Sequence, residues 1–502
     1  MNRVEFERVT PESVGIPSLA IEGLLDDFES GFTEPHGLMI MRHGKVCAEG
    51  YWAPYAKGLR HGLQSHTKTY TATAVGIAYT EGLLKLDDKV IDYFPEFLPE
   101  NISDNLKKLT IHDVLCMGCG MDEQPPISEN WIRDFFAEPI VHEPGTVFMY
   151  NNIGSTLLGA IVKKVTGQGI REYLKPRLFE KLGINTDNQR WIYIVDGHES
   201  GAGGLYTTVE DNLRLMKMYA NGGVFNGERI LAQDYVKRAT TKQNDQNTAT
   251  TAGALSPDAT DNFSGYGYQI WMCRPKDSYR ADGAMGQFTI VLPEKDMIVS
   301  ITETATNPKS VQGTLDAVWK MVDKIPAVET LPEDEKASAK LSNRLSRLSL
   351  PSPLCNPLSS VIPKVNGKKY EIKEGTLNFT NDISFILSGL KAENVSEFSF
   401  EFESDKCILS YKQNGKDAKL EVGLDGSRRL NYVDLEDIPI SMLLASGAFI
   451  NDNTFELTLR WIETCFENKR YFTFDGDTVE IKAKDNFNFI PLPDAPIIAK
   501  AI

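Results

Sequence analysis

A hydroxyl and an amine three residues apart can make a nucleophile and its base. Ser65 and Lys68 stand in that relation within LQSHTKTYTATAVGIAYTEG, residues 63–82. On a helix, positions i and i+3 share a face, so the two side chains meet. A serine hydroxyl attacks a carbonyl only when something takes its proton. A neutral lysine can take it, provided its pKa falls from about 10.4 toward about 7, at a cost of roughly 4–5 kcal/mol. Burial at a helix start supplies part of that shift, and a second proton carrier nearby shares the work.

The pair is short, and it recurs as Ser388-Gly389-Leu390-Lys391. That copy lies in ISFILSGLKAEN, where no helical turn brings the lysine back, so it reads as a strand-end serine and a solvated lysine. His66 sits inside the first copy and invites a Ser–His mechanism. A sequence neighbour on a helix points about 100° away, so His66 is expected on the cleft wall or the surface.

A second candidate constellation is EPGTVFMYNNIGSTLLGAIV, residues 143–162. Pro144-Gly145 makes a turn, and Tyr150-Asn151-Asn152 follows just before a helix. Loop-to-helix junctions on a scaffold project side chains into clefts. The same Tyr-x-Asn pattern at Tyr219-Ala220-Asn221 ends an amphipathic helix before Gly222-Gly223, so Asn221 reads as a helix C-terminal residue.

These residues need positioning elements, and residues 1–328 mix helix and strand signals. GLMIMRHGKVCAEGYW (37–52) reads as a hairpin turning at His43-Gly44. Thr67 to Leu84 reads as a helix stopping near Gly82. In LYTTVEDNLRLMKMYA (205–220) Leu213, Met216, Met218 and Tyr219 have helical spacing, with Thr207 or Thr208 as cap. GGVFNGERIL turns at Asn226-Gly227, and FTIVLPEKDMIVSIT (288–302) is a second hairpin turning at 293–296. Residues 329–350, rich in Pro, Ser and charge, read as a partly helical linker. Residues 351–502 turn to period two: in TFELTLRWIE, Phe455, Leu457, Leu459 and Trp461 share one face, and Glu456, Thr458 and Arg460 the other. Closely spaced strands of this kind predict a small antiparallel barrel or sandwich.

The bulk numbers exclude several classes. With 41% hydrophobic and 24% charged residues, the chain supports a sizeable core. A net charge of −16 disfavours a sequence-independent grip on nucleic acid and docking on an anionic membrane. The N-terminus MNRVEFERVTPES has no apolar run of a secretory signal, and ISMLLASGAFI (440–450) is too short to span a bilayer. Seven scattered cysteines fit reduced thiols, so a cytoplasmic location is expected. Cys116-Met117-Gly118-Cys119 lacks the partners of a zinc site and reads as packed thiols.

Taken together and in order, these motifs resemble the serine β-lactamase and penicillin-binding-protein superfamily, in particular the class C-like β-lactamases, family VIII esterases and D-aminopeptidases. The resemblance covers about residues 8 to 325. It rests on TPESVGIPS, KTYTATAVGIAYTEGLLKLDDKVIDYFPEF, the Tyr150 segment, SGAGGLYTTVEDNLRLMKMYANGG and YGYQIW. It implies an α+β fold, an antiparallel sheet flanked by helices with a helical subdomain. It implies that Ser65 is the acylated nucleophile, Lys68 its helix partner, Tyr150 the general base and acid with its pKa lowered by a cationic Lys68, and Asn152 an amide contacting substrate or Lys68. The third motif, normally Lys-Thr-Gly or His-Gly-Gly, is matched by Ala284-Met285-Gly286 in ADGAMGQFTIVLP. Gly286 then lets the backbone pass close to the acyl group, and the N–H groups of Ser65 and Gln287 form an oxyanion hole, each donor worth roughly 3–4 kcal/mol. Ala284 cannot hold a substrate carboxylate, and whether Arg280 compensates is open. The resemblance thus implies a serine hydrolase acting on a small ester, amide or peptide without metal or cofactor. The alternatives are a β-lactamase or D-Ala-D-Ala carboxypeptidase, and a catalytically silent binding protein using the same cleft. VNGKKYEI and DNTFELTLRWIETCF resemble the lipocalin-like β modules appended to some members. The expected roles of such a module are covering the cleft, narrowing substrate size, mediating oligomers, or simple docking. Homo-oligomerisation is left open.

Overall fold

A computed structural model describes residues 4–126, 128–250, 255–379, 394–435, 438, 440–487 and 495–502. The chain forms two compact units, Met1–Ser349 and Leu350–Ile502. The Ser388–Lys391 pair lies outside the described residues.

The first unit is built on a six-stranded antiparallel sheet. From edge to edge its strands are Lys45–Tyr51, Glu34–Arg42, Met297–Thr304, Gln287–Leu292, Tyr279–Gly283 and Trp271–Met272. Both expected hairpins are present. His43 and Gly44, at φ 52° and 73°, turn the first, and the second turns through Asp296 at φ 45°. Consecutive positive φ values match the twist of a tight hairpin. Every residue of Met297–Thr304 is buried, the polar Ser300, Thr302, Glu303 and Thr304 among them. Helix Val209–Ala220 packs on three central strands, and Thr208 and Asp211 close its start as a capping box.

A helical region carries the remaining motifs. Thr67–Thr80 packs against Asn152–Thr166. Twelve of the fourteen residues of Thr67–Thr80 are buried. A small three-stranded sheet of His61–Gly62, Leu205–Thr207 and Arg190–Trp191 anchors the segment just before it, with the Leu63 N–H bonded to Leu205 O at 2.9 Å. Residues 329–350 include the helix Glu335–Leu345, which is held to helix Ser18–Phe28 by charge. Arg344 reaches Glu22, Asp26 and Glu29 at 2.8, 2.7 and 2.7 Å.

The second unit is a closed nine-stranded barrel. Its strands are Lys369–Glu374, Val395–Phe402, Lys406–Gln413, Lys416–Gly423, Met442–Phe449, Thr454–Trp461, Glu467–Asp475, Thr478–Asp485 and Ile497–Ala501. All neighbours are antiparallel except the closure, where Gly423 meets Ser446 in a parallel bridge. Phe398, Phe400, Phe402, Phe455 and Phe472 are buried and meet mostly edge-to-face with centroids 5.0–5.7 Å apart. The polar face expected of TFELTLRWIE is also largely covered. Arg460 is 3% and Glu456 9% exposed, and they pair with Glu467 and Lys469.

Arg470 and Asp485 form a buried ion pair at 2.6 Å, with the remaining guanidinium donors on Asn378 and Lys469 O. Truncating one partner strands the other charge out of water. Asp485→Ala is expected to destabilise this unit by about 3–5 kcal/mol, read from its urea midpoint. An unchanged midpoint would mean that Arg470 finds water in the variant.

Candidate active site

Ser65 lies in the 3₁₀ turn Gln64–His66, which runs directly into helix Thr67–Thr80. Gln64 holds φ 51°, an unfavourable left-handed conformation for a side chain of its size. Residues kept in such conformations need surroundings that over-determine them. Here Leu63 is clamped by the small sheet on one side and by Gly283 on the other. A Cβ at Gly283 would fall 2.0 Å from Leu63 O and 3.2 Å from the His66 nitrogen. Only glycine lets this strand approach the serine turn so closely.

Lys68 is one turn along and 1% exposed. Its Nζ lies 3.0 Å from Ser65 Oγ, 2.8 Å from Asn152 Oδ1 and 2.7 Å from Ala202 O. The Asn152 and Ala202 oxygens can only accept, and a neutral amine has two N–H groups to give them. Its lone pair is then left for the Ser65 hydroxyl to donate to. Burial pushes the Lys68 pKa well below the ordinary lysine value, while the charge of Asp282 opposes the shift. The position also disfavours a cation, since it is the first turn of a helix.

Tyr150 closes the group. Its hydroxyl hydrogen-bonds the Ser65 side chain, and its ring lies 4.7 Å from Lys68 Nζ. The ring stacks on Trp271 at 5.6 Å, beside Tyr266 and Phe148. Asn152 opens helix Asn152–Thr166, whose N-cap is Asn151, with Oδ1 accepting from the Gly154 N–H at 2.8 Å. The structure therefore brings Ser65, Lys68, Tyr150 and Asn152 together. It does not give Tyr150 a lowered pKa. Burial raises the phenol, and contact with Ser65 only partly opposes this. The protonation expected for the pair is thus reversed: a phenol that keeps its proton beside an amine that is readily neutral.

The third motif needs a larger correction. Ala284 is exposed at a turn, and Gly286 stands at φ 90°. A Cβ there would strike Glu303 Oε1 at 2.0 Å, so the glycine makes room for a buried acid. The Gln287 side chain is fully buried and donates to Met285 O and Glu303 O, at 3.2 and 2.6 Å. Its backbone is in register with Gly283. The glycine against the serine turn is Gly283, three residues earlier. Arg280 supplies no free cation. It is fully buried, held by Asp282 at 2.7 Å, Met272 O at 2.9 Å and Asn262 at 2.5 Å.

His66 is also corrected. It is fully buried, not on a wall or surface, and burial lowers its pKa to about 3. Neither ring nitrogen has a partner of normal hydrogen-bond geometry, and Gln287 backbone is the polar group nearest to answering it. Four groups at the site went unread: Gly283, Asp282, Ala202 and Trp271. Only Ala281-Asp282-Gly283 carried a usable signal, a glycine at the end of a strand that precedes a tight turn. Cys116 and Cys119 are buried thiols, each pushed up in pKa by burial.

Residues 15–321 match the protein-family model described as Beta-lactamase. The 6-aminohexanoate-dimer hydrolase of Paenarthrobacter ureafaciens is 28% identical over 256 residues, covering 46% of this chain and 64% of its own length. Protein flp of Staphylococcus aureus (strain MRSA252) is 25% identical over 196 residues, 34% of this chain and 39% of its own. The chain thus spans less than two thirds of the length of these curated relatives. The solved structure of a penicillin-binding protein homolog from Caulobacter crescentus covers 63% of this chain and 100% of its own, with a TM-score of 0.50 and 17% identity. That likeness is one of fold.

Proposed function

The chain belongs to the beta-lactamase family, and from that premise we propose that it is a serine hydrolase that cleaves esters or small amides through an acyl-enzyme on Ser65. The observation that carries this reading is the set of contacts at Lys68 Nζ. Asn152 Oδ1 and Ala202 O can only accept, so once burial has made the amine neutral they take its two N–H groups and leave its lone pair to Ser65 Oγ, 3.0 Å away. In this reading the Ser65 hydroxyl gives its proton to Lys68 as Oγ attacks the carbonyl. The proton then passes to the leaving group through Tyr150, whose hydroxyl already bonds Ser65. Water attacks the acyl carbonyl by the reverse path, and the serine is restored. Backbone N–H groups at the Ser65 turn and at the Gly283–Gln287 hairpin serve as oxyanion donors.

Substrate class follows from charge. Ala284 offers no cation and Arg280 is consumed internally, so neither of these positions gives a substrate carboxylate a partner. This favours esters and small amides over β-lactams and D-Ala-D-Ala peptides. A relative named as a 6-aminohexanoate-dimer hydrolase supports turnover over silent binding. The barrel is read as an accessory, lipocalin-like module, and its packed phenylalanines favour support over ligand carriage. None of the seven cysteines is paired, which supports a reducing compartment such as the cytoplasm. Among the described residues no helix is long and apolar enough to cross a membrane.

The test is intact-protein mass spectrometry after exposure to a fluorophosphonate, with peptide mapping. A single adduct on Ser65, absent in Tyr150→Phe, is the expected result. Folded protein that takes no adduct would favour the silent cleft.

A further inference from the structure

Glu303 is the penultimate residue of the central strand Met297–Thr304 and is fully buried. Its Oε1 accepts from Thr314 Oγ1 at 2.7 Å, and Thr33 is a second hydroxyl partner. Its Oε2 is buried with no partner of normal geometry among the described residues. The carboxyl occupies the space that a side chain at Gly286 would take. Above it, Met285 and Gly286 hold φ 66° and 90°, two successive left-handed residues, the first of them not a glycine. This turn connects Gly283, which abuts the Ser65 turn, to Gln287. It is pinned from the same strand end. Gln287 Nε2 reaches Glu303 O, and the Ala305 N–H reaches Met285 O at 3.0 Å.

We propose that Glu303 is a positioning residue for the Ser65 site, its carboxyl seated under Gly286 to hold the turn that presents Gly283 and Gln287 to the nucleophile. The inference rests on the reading of Ser65 as the acylated residue. An acid with one oxygen unanswered in an apolar setting stays protonated, because its ion would lack compensation. Burial accordingly raises this carboxyl to about 8. The groups facing it are the hydroxyls of Thr33 and Thr314 and the Gly286 backbone, none of them charged. Thr304, next along the strand, points to the opposite face, where it meets His36 at 3.3 Å. Loss of the proton places an unpaired charge beneath the turn, which must open to hydrate it. Acylation of Ser65 therefore falls as pH rises through about 8.

The experiment follows the rate of fluorophosphonate labelling of Ser65 from pH 5.5 to 10 in the full chain, with melting temperatures alongside. The wild type is expected to lose labelling rate above about pH 8. Glu303→Gln, neutral and nearly isosteric, is expected to stay within about threefold at pH 7 and to lack that alkaline limb. Thr314→Val removes the hydroxyl that favours the ionised form, so its limb moves to higher pH. It serves even where a Glu303→Ala chain fails to fold. An unchanged limb in both Glu303→Gln and Thr314→Val overturns the proposal. A wild type that never labels at Ser65 overturns instead the hydrolase reading beneath it.

Discussion

Ser65→Ala is expected to abolish turnover of activated esters and small amides, lowering kcat by roughly a thousandfold or more, with the melting temperature little changed. The magnitude follows from what is removed. Without Oγ no acyl-enzyme forms, and what remains is binding and whatever oxyanion donors polarise the carbonyl toward direct attack by water. The fold should tolerate the change. Oγ answers Lys68 and Tyr150, but Lys68 keeps Asn152 and Ala202, and Tyr150 keeps its stack on Trp271. Ser65→Cys is the informative companion. It restores a nucleophile of a different size and acidity, and a partial return of ester cleavage with none on amides would support acyl transfer through this atom. Full ester turnover by Ser65→Ala would sink the assignment, since no other described serine stands beside a buried lysine and a tyrosine in this unit.

That Ser65, Lys68, Tyr150 and Asn152 would meet was legible in the sequence because local geometry determines it. Ser65 lies in the 3₁₀ turn that leads into the helix of Lys68, one turn before it, and Tyr150 and Asn152 flank the start of another. Two helix termini that pack together bring all four into reach. The third wall is not legible from spacing because it depends on sheet register. ADGAMGQ holds two glycines, and each is required by something far along the chain, Gly283 by the Leu63 carbonyl and Gly286 by Glu303. Spacing within the motif cannot say which glycine faces which neighbour. His66 was misplaced for the same reason. Its burial is imposed by a strand that arrives more than two hundred residues later. Whether Arg280 compensates stays open in the sequence, because its partners Asn262, Met272 and Asp282 meet only in the folded chain. In the barrel, period two located strands well, while closure and the pairing of Arg470 with Asp485 depend on contacts across the sheet.

Lys68 offers the sharper test of how the proton moves. If a neutral amine is the acceptor, Lys68→Arg should be as inactive as Lys68→Ala, both falling by about 10²–10⁴-fold in kcat/KM for an activated ester. Arginine keeps a permanent positive charge near Tyr150 but cannot accept a proton in this pH range. If instead a cationic Lys68 acted by lowering the Tyr150 pKa, arginine would preserve that charge and a good part of the rate. The structure favours the first outcome, because burial moves Lys68 toward neutrality and Tyr150 away from ionisation. The wild-type profile should then rise with pH along an acid limb set by the depressed lysine, and the variants should lack it. The sign for stability agrees. Between the folded and ordinary lysine pKa the unfolded chain binds the extra proton, so the site's contribution to stability grows as pH rises through that window. Lys68→Ala should flatten that slope in urea titrations while leaving the fold intact. A Lys68→Arg enzyme within tenfold of wild type would overturn the neutral-amine mechanism and return the proton to Tyr150.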